Sequence, residues 1–75
     1  MEEVKKFLDR EGRVKTWPTK IRLKLLVLKY LSGYFEENRK YSEKEVNNIL
    51  NEHHTFGDPA SLRRELCDYK FLNRT

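Results

Sequence analysis

Cysteine is nearly absent from this chain, with one in 75 residues. The lone Cys67 has no internal partner, so the fold must rest on a hydrophobic core and not on a disulfide framework. A catalytic thiolate needs a base and an orienting group, and the only histidines, His53 and His54, fall in a different predicted element, so Cys67 reads as a small packing residue. Long apolar runs are also missing. The longest, "LLVL" at 25–28, is bracketed by lysines and falls far short of the roughly 18–20 residues of a membrane span. The opening "MEEVKKFLDREG" holds four carboxylates and no apolar centre, unlike a secretory or transit peptide, and a cytoplasmic location is expected. Glycine is sparse. No phosphate-cradling glycine loop, paired-carboxylate site or nucleophile elbow can be found, so neither an enzyme, nor a cofactor, nor a small-molecule substrate is expected. His53 and His54 adjoin in sequence, which does not put both on one helical face, and a structural zinc site usually wants four ligands. No metal is expected, and "HHTFG" reads as an exposed turn.

What is present is charge and periodicity. Hydrophobic and charged residues each make up 37% of the chain, and the apolar ones recur at regular spacing, which favours one small folded domain over disorder. The net charge of +4 is unevenly spread. Residues 1–29 hold nine basic and four acidic side chains, residues 30–62 three and six, and residues 63–75 four and two. Basic ends flank an acidic middle, a balance compatible with a polyanionic partner.

Val4, Phe7 and Leu8 predict a short helix over 2–8, "DREGR" a turn, and "VKTWP" a short extended piece with Val14 and Trp17 capping the core. Residues 1–18 thus read as an N-terminal extension and 19–75 as the helical core. Thr19 is the expected N-cap of a central helix over 20–35, with Ile21, Leu25, Leu28, Leu31 and Phe35 as its buried line, Leu23, Val27, Tyr30 and Tyr34 beside them, and Arg22 and Lys29 outside. Gly33, in its last turn, hints at close packing or a frayed end. "YSEKEV" is the most specific local signal: Ser42 as N-cap, Glu45 as its reciprocal partner, Tyr41 and Val46 as the staple, opening a helix from 43 to about 52 that buries Val46, Ile49 and Leu50. Asp58 then caps a third long helix, with Pro59 at its first position and Leu62, Leu66 and Tyr69 buried. It fades at Lys70, and "FLNRT" is expected to form one extended strand, its "FLN" paired with "RKY" at 39–41. The expected fold is mainly α: a compact helical domain with a helix-turn-helix or truncated winged-helix arrangement and at most short β-strands.

Three separated stretches, "FLDREGRVKTWPTKIRLKLLVLKYL", "YSEKEVNNIL" and "DPASLRRELCDYKFLNR", make nearly the whole chain resemble a family of small bacterial domains, domain of unknown function 2087. The resemblance implies a winged-helix-like fold associated with transcription regulators. In the family pattern the segment after the position of Arg74 continues through a glycine to a Tyr-rich strand, so here a truncated wing is implied.

The candidate surface follows from the last long helix. Ser61 and Arg64 point away from the core, Arg63, Lys70 and Arg74 flank them, and Lys20, Arg22 and Lys24 offer a second basic group; all eight are candidates for nucleic-acid contact. Competing structural duties are a pair of Arg64 with Asp68 and of Arg63 with Glu45 or Glu52. The carboxylates of Glu65 and Asp68 would repel phosphates. The leading expectation is a DNA-binding, regulator-type domain contacting double-stranded DNA. The alternative is a protein-interaction module, presenting its acidic capped helix or its central helix to a protein partner, and a homodimer through Trp17 or the aromatics of 30–35 is also open.

Overall fold

The computed structural model describes residues 2–72. Four helices follow in order: α1 (Glu2–Lys5), α2 (Ile21–Ser32), α3 (Glu43–Asn51) and α4 (Pro59–Asp68). Among the described residues there is no sheet; the only β-type pairings are two isolated bridges, Leu8 with Val14 and Val14 with His54. The domain is mainly helical, with a radius of gyration of 11.5 Å.

The N-terminal stretch is part of the core. α1 is shorter than its periodicity predicts, but turn bonds from Phe7 to Val4 and from Leu8 to Lys5 carry the coil onward, and Val4 and Phe7 are buried. Asp9 then closes the reversal, its carboxylate accepting the backbone N–H groups of Glu11 and Arg13 and pairing with the Arg13 guanidinium at 2.9 Å. Gly12 has φ of +81°, and a Cβ there would stand 2.9 Å from the Tyr30 hydroxyl. Only glycine meets both conditions. That hydroxyl donates to the Gly12 carbonyl at 2.7 Å, fixing the reversal to α2. Val14 follows, fully buried, and exchanges backbone bonds with the α3–α4 connection: its N–H donates to His53 and its carbonyl accepts from Thr55.

α2 departs from its expected limits at both ends. Its N-cap is Lys20, not Thr19, and no side chain caps it. It stops at Ser32, with Gly33 as a right-handed C-cap at φ −64°. The buried direction runs through Val27, Leu28 and Leu31, between the two apolar lines read from the sequence. Leu28 and Leu31 are therefore inside, whereas Ile21 and Leu25, expected to be buried, are 60% and 37% exposed. Phe35 has left the helix and packs edge-on against the Tyr41 ring, centroids 5.2 Å apart.

α3 starts where its sequence says. Ser42 Oγ accepts the Glu45 N–H, the Glu45 carboxylate accepts the Ser42 N–H at 2.9 Å, and Tyr41 and Val46 are both buried beside this reciprocal cap. The Ser42 N–H, with help from Arg39, holds the Glu45 carboxyl below its ordinary range. α3 buries Val46 and Leu50, with Ile49 half-buried against them.

α4 is capped by Asp58, whose carboxylate accepts the Ser61 N–H, with Pro59 at the first position. Leu62 and Leu66 are buried, but Tyr69, expected beside them, is exposed. The expected strand over "FLNRT" is overturned for its described part, Phe71 and Leu72. Lys70 adopts φ of +65°, its N–H bonds to the Cys67 carbonyl, and the Phe71 N–H returns to Leu66 at 2.8 Å. These two bonds form a Schellman closure of α4. The chain turns back after Lys70 and lays Phe71 and Leu72 against the core, so neither pairs with residues 39–41. Residues 73–75, the rest of that expected strand, lie outside the described residues.

Candidate functional site

α4 presents two arginines in different ways because consecutive helical residues point about 100° apart. Arg63, partly buried, turns toward α3: its Nη1 donates to Asn47 Oδ1 at 2.8 Å and lies 3.6 Å from Glu43 Oε1. The sequence points to Glu45 or Glu52 as its partners; Glu45 is taken by the Ser42 cap, and Glu43 and Asn47, one turn apart on α3, receive the guanidinium instead. Arg64 is exposed, and among the described residues no hydrogen bond or ion pair engages it; in particular, the expected pair with Asp68 is not formed. Asp68 has a partner elsewhere. Ser61, three residues before Arg64, shares its outward side, as does Ala60. Arg64 is the guanidinium of this helix available to an incoming ligand.

Of the two carboxylates of α4 that would oppose an anion, Asp68 is exposed one turn after Arg64 on the same side, and only Glu65 is turned away. Glu65 faces α2, where its Oε1 lies 3.9 Å from Lys24 Nζ; the pair is about three-quarters buried. Its Oε2 is buried with no hydrogen-bond partner. A buried carboxylate oxygen left unsatisfied weakens what the ion pair contributes, so the contact serves position more than stability.

The second basic group is not brought together as a free patch. Lys24 is spent on Glu65, and Arg22 Nη1 contacts both oxygens of Glu3 on α1, at 3.1 and 3.0 Å. Lys20 stays exposed at the α2 N-cap. Lys70 is exposed in the left-handed turn that ends α4, and Arg74 lies outside the described residues. The structure thus leaves Arg64, Ser61, Lys20 and Lys70 accessible and commits Arg63, Arg22 and Lys24 to neighbouring elements.

Residues 52–58 between α3 and α4 are organised around His54, which is buried to 4% exposure where an exposed turn is expected. Its Nδ1–H donates to the Leu50 carbonyl at 2.6 Å, and its Nε2 accepts the Asp58 N–H at 2.9 Å. One imidazole therefore joins the last turn of α3 to the N-cap residue of α4. Phe56 packs edge-on against that ring at 4.7 Å. His53 stacks on Tyr34 with centroids 3.6 Å apart, and its burial lowers its pKa below 6.5, against a smaller opposing pull from Glu52. Nothing in "HH" distinguishes the two histidines; the buried one is selected by the bridge between Val14 and His54. Asn47 and His54, which position α4, are the residues that pattern reading misses.

Chemistry-bearing clusters are otherwise sparse. Among the described residues no group of three His, Cys, Asp or Glu side chains converges as a metal site, and no helix is long and apolar enough to cross a membrane. A cleft of about 300 Å³ beside α3 is lined by Tyr34, Arg39, Tyr41 and Glu45 among others. Its cation is already engaged: Arg39 pairs with Glu36 and Glu45 and lies over the Tyr41 ring.

Fold and site together define a small helical domain with a polar outer face on its last helix. The model of a family described as "Uncharacterized protein conserved in bacteria", domain of unknown function 2087, matches residues 13–75. The chain belongs to that family. No curated protein and no solved structure matches it.

Proposed function

We propose that this is a DNA-binding domain of the transcription-regulator type, in which α3, residues 52–58 and α4 act as a helix-turn-helix and α4 lies against double-stranded DNA. One observation carries the reading: adjacent arginines are divided between two tasks, Arg63 bound to Asn47 and Glu43, Arg64 exposed and unengaged. The first holds α4 on α3. The second supplies a planar cation suited to a phosphate or to a guanine edge. Ser61 and Ala60 on the same side are short, which lets a helix approach a groove closely, and Glu65 is drawn away by Lys24. Lys20 and Lys70 add exposed cations for backbone contact, with Arg74 as a further candidate by sequence. Of the eight residues expected from sequence, this reading retains Arg64 as the principal contact and gives Arg63 a positioning role.

The test is a titration of the domain with labelled random duplex DNA at about 50 mM and about 200 mM salt. Binding that weakens steeply with salt and is lost in Arg64→Glu is the expected result. Arg63→Gln, which keeps a hydrogen-bond donor toward Asn47, retains most of the binding. Absence of association at the lower salt, or an Arg64→Glu variant that binds as the parent does, overturns the proposal.

A further inference from the structure

The outer face of α2 has a chemistry that the α4 surface does not use. From Gly12 to Phe35 the chain carries six cations, Arg13, Lys15, Lys20, Arg22, Lys24 and Lys29, and not one carboxylate. Within α2, Ile21 and Leu25 stand one helical turn apart on the exposed side, at 60% and 37% exposure. Arg22 and Lys29 are exposed beside them, and Lys24, reaching Glu65, bounds them on the side of α4. Ile21 and the partly covered Leu25 leave apolar surface in water, and covering it with a partner would be favourable. A short apolar line with Lys29 and Lys20 exposed near it, and with Arg22 and Lys24 already paired to Glu3 and Glu65, has the outline of an interface.

We infer that this α2 face docks an acidic amphipathic helix of a partner protein. The charges choose among occupants. A second copy packed on this face about a two-fold axis would set Arg22 and Lys29 of one copy against the same residues of the other, and like charges brought together oppose association. Duplex DNA would meet the cations but leave Ile21 and Leu25 facing hydrated phosphates. A helix with leucines on one side and carboxylates along both edges satisfies the apolar line and the basic rim together. This inference is independent of the DNA-binding reading, which rests on α4.

The experiment records backbone amide shifts of the isotope-labelled domain with three probes: a designed helical peptide bearing a leucine stripe edged by glutamates, the same peptide with lysine in place of each glutamate, and a short DNA duplex. The glutamate peptide is expected to shift the amides of residues 20–29, and its affinity to fall about tenfold or more in the double variant Ile21→Ser, Leu25→Ser, as removal of central apolar anchors does. Ile21 is the more exposed of the two, so the single variant Ile21→Ser, which keeps a melting temperature close to the parent's, should also weaken the peptide, and Arg64→Glu leaves peptide binding unchanged. The inference is overturned if the glutamate peptide leaves α2 unshifted, if the lysine peptide binds equally well, or if the duplex takes the α2 face with an affinity indifferent to the double variant.

Discussion

α4 and α2 are held by different physics. The α3–α4 pair is fixed at every joint by a polar device: the reciprocal cap of Ser42 and Glu45, the His54 imidazole between Leu50 and Asp58, the Asp58 cap, the Arg63 tie to Asn47, and the Schellman closure at Lys70. α2 has no side-chain cap and keeps its place mainly by burying Val27, Leu28 and Leu31, with Tyr30 tied to Gly12, Arg22 to Glu3 and Lys24 to Glu65 at its edges. Directional bonds fix the angle and register of α4 on α3, the kind of support that the proposed DNA contact would need. Apolar burial sets only which side of α2 is inside, so its outer side is left to carry other chemistry.

The largest effect expected is on the polar half. His54→Ala removes the acceptor of the Asp58 N–H and one donor to the Leu50 carbonyl, which keeps the His53 N–H at 2.9 Å, and it empties the space of a buried ring, a combined loss of roughly 1–3 kcal/mol. Urea unfolding should show a loss of that order, and a change below about 0.5 kcal/mol would mean that the bridge contributes little and the comparison with α2 fails. Lys70→Gly acts in the opposite direction: a left-handed position without a Cβ is relieved of strain, so a gain of about 1 kcal/mol is expected in the same measurement. If the gain comes with weaker DNA association at low salt, Lys70 also contributes to phosphate contact.

A smaller effect comes with acid. Because burial depresses the pKa of His53 in the folded state, the unfolded chain takes up its proton first as the pH falls. The contribution of His53 is complete above the unfolded value near 6.5 and is lost as the pH drops through the folded one. An NMR titration of the His53 ring should place its midpoint below 6.5, and the Tyr34→Ala variant, which exposes that ring, should bring it back up. A His53 midpoint at or above 6.5 would contradict the buried stack. Smallest of all is the change expected on the α2 face, where Ile21→Ser should alter stability by no more than about 0.5 kcal/mol, since surface substitutions remote from buried contacts rarely do more. A loss of 2 kcal/mol there would show that Ile21 belongs to the core after all and would erase the contrast between the two helices.

The local signals in the sequence correspond closely to what is found wherever a short-range interaction decides the outcome. "YSEKEV" encodes the reciprocal cap because its partners are three residues apart, and "DPAS" encodes the α4 start because Asp58 reaches Ser61 over the same span. The misplacements fall where distant parts of the chain compete. Ile21 and Leu25 fit the helical period as well as Leu28 does, and Tyr69 as well as Leu66, but α1 and α4 cover only a limited arc. The expected strand at residues 71–75 is displaced, at Phe71 and Leu72, by a left-handed lysine that no glycine announces.

The candidate site divides in the same way. That one arginine of the pair points outward follows from helix geometry and was legible; that Arg63 is held by Asn47 and Glu43, and Glu65 by Lys24, was not, because each tie spans separate helices. The sequence by itself determined that four helical segments form, where two of them begin, that the charge is basic at both ends, and to which family the chain belongs. The tertiary structure alone decided which histidine is buried, which of the basic residues remain available to a ligand, and which aliphatic side chains of α2 stay in water. The physical reason is range: caps and periodicity act within a few residues, whereas burial and ion pairing depend on which surfaces the folded chain brings together.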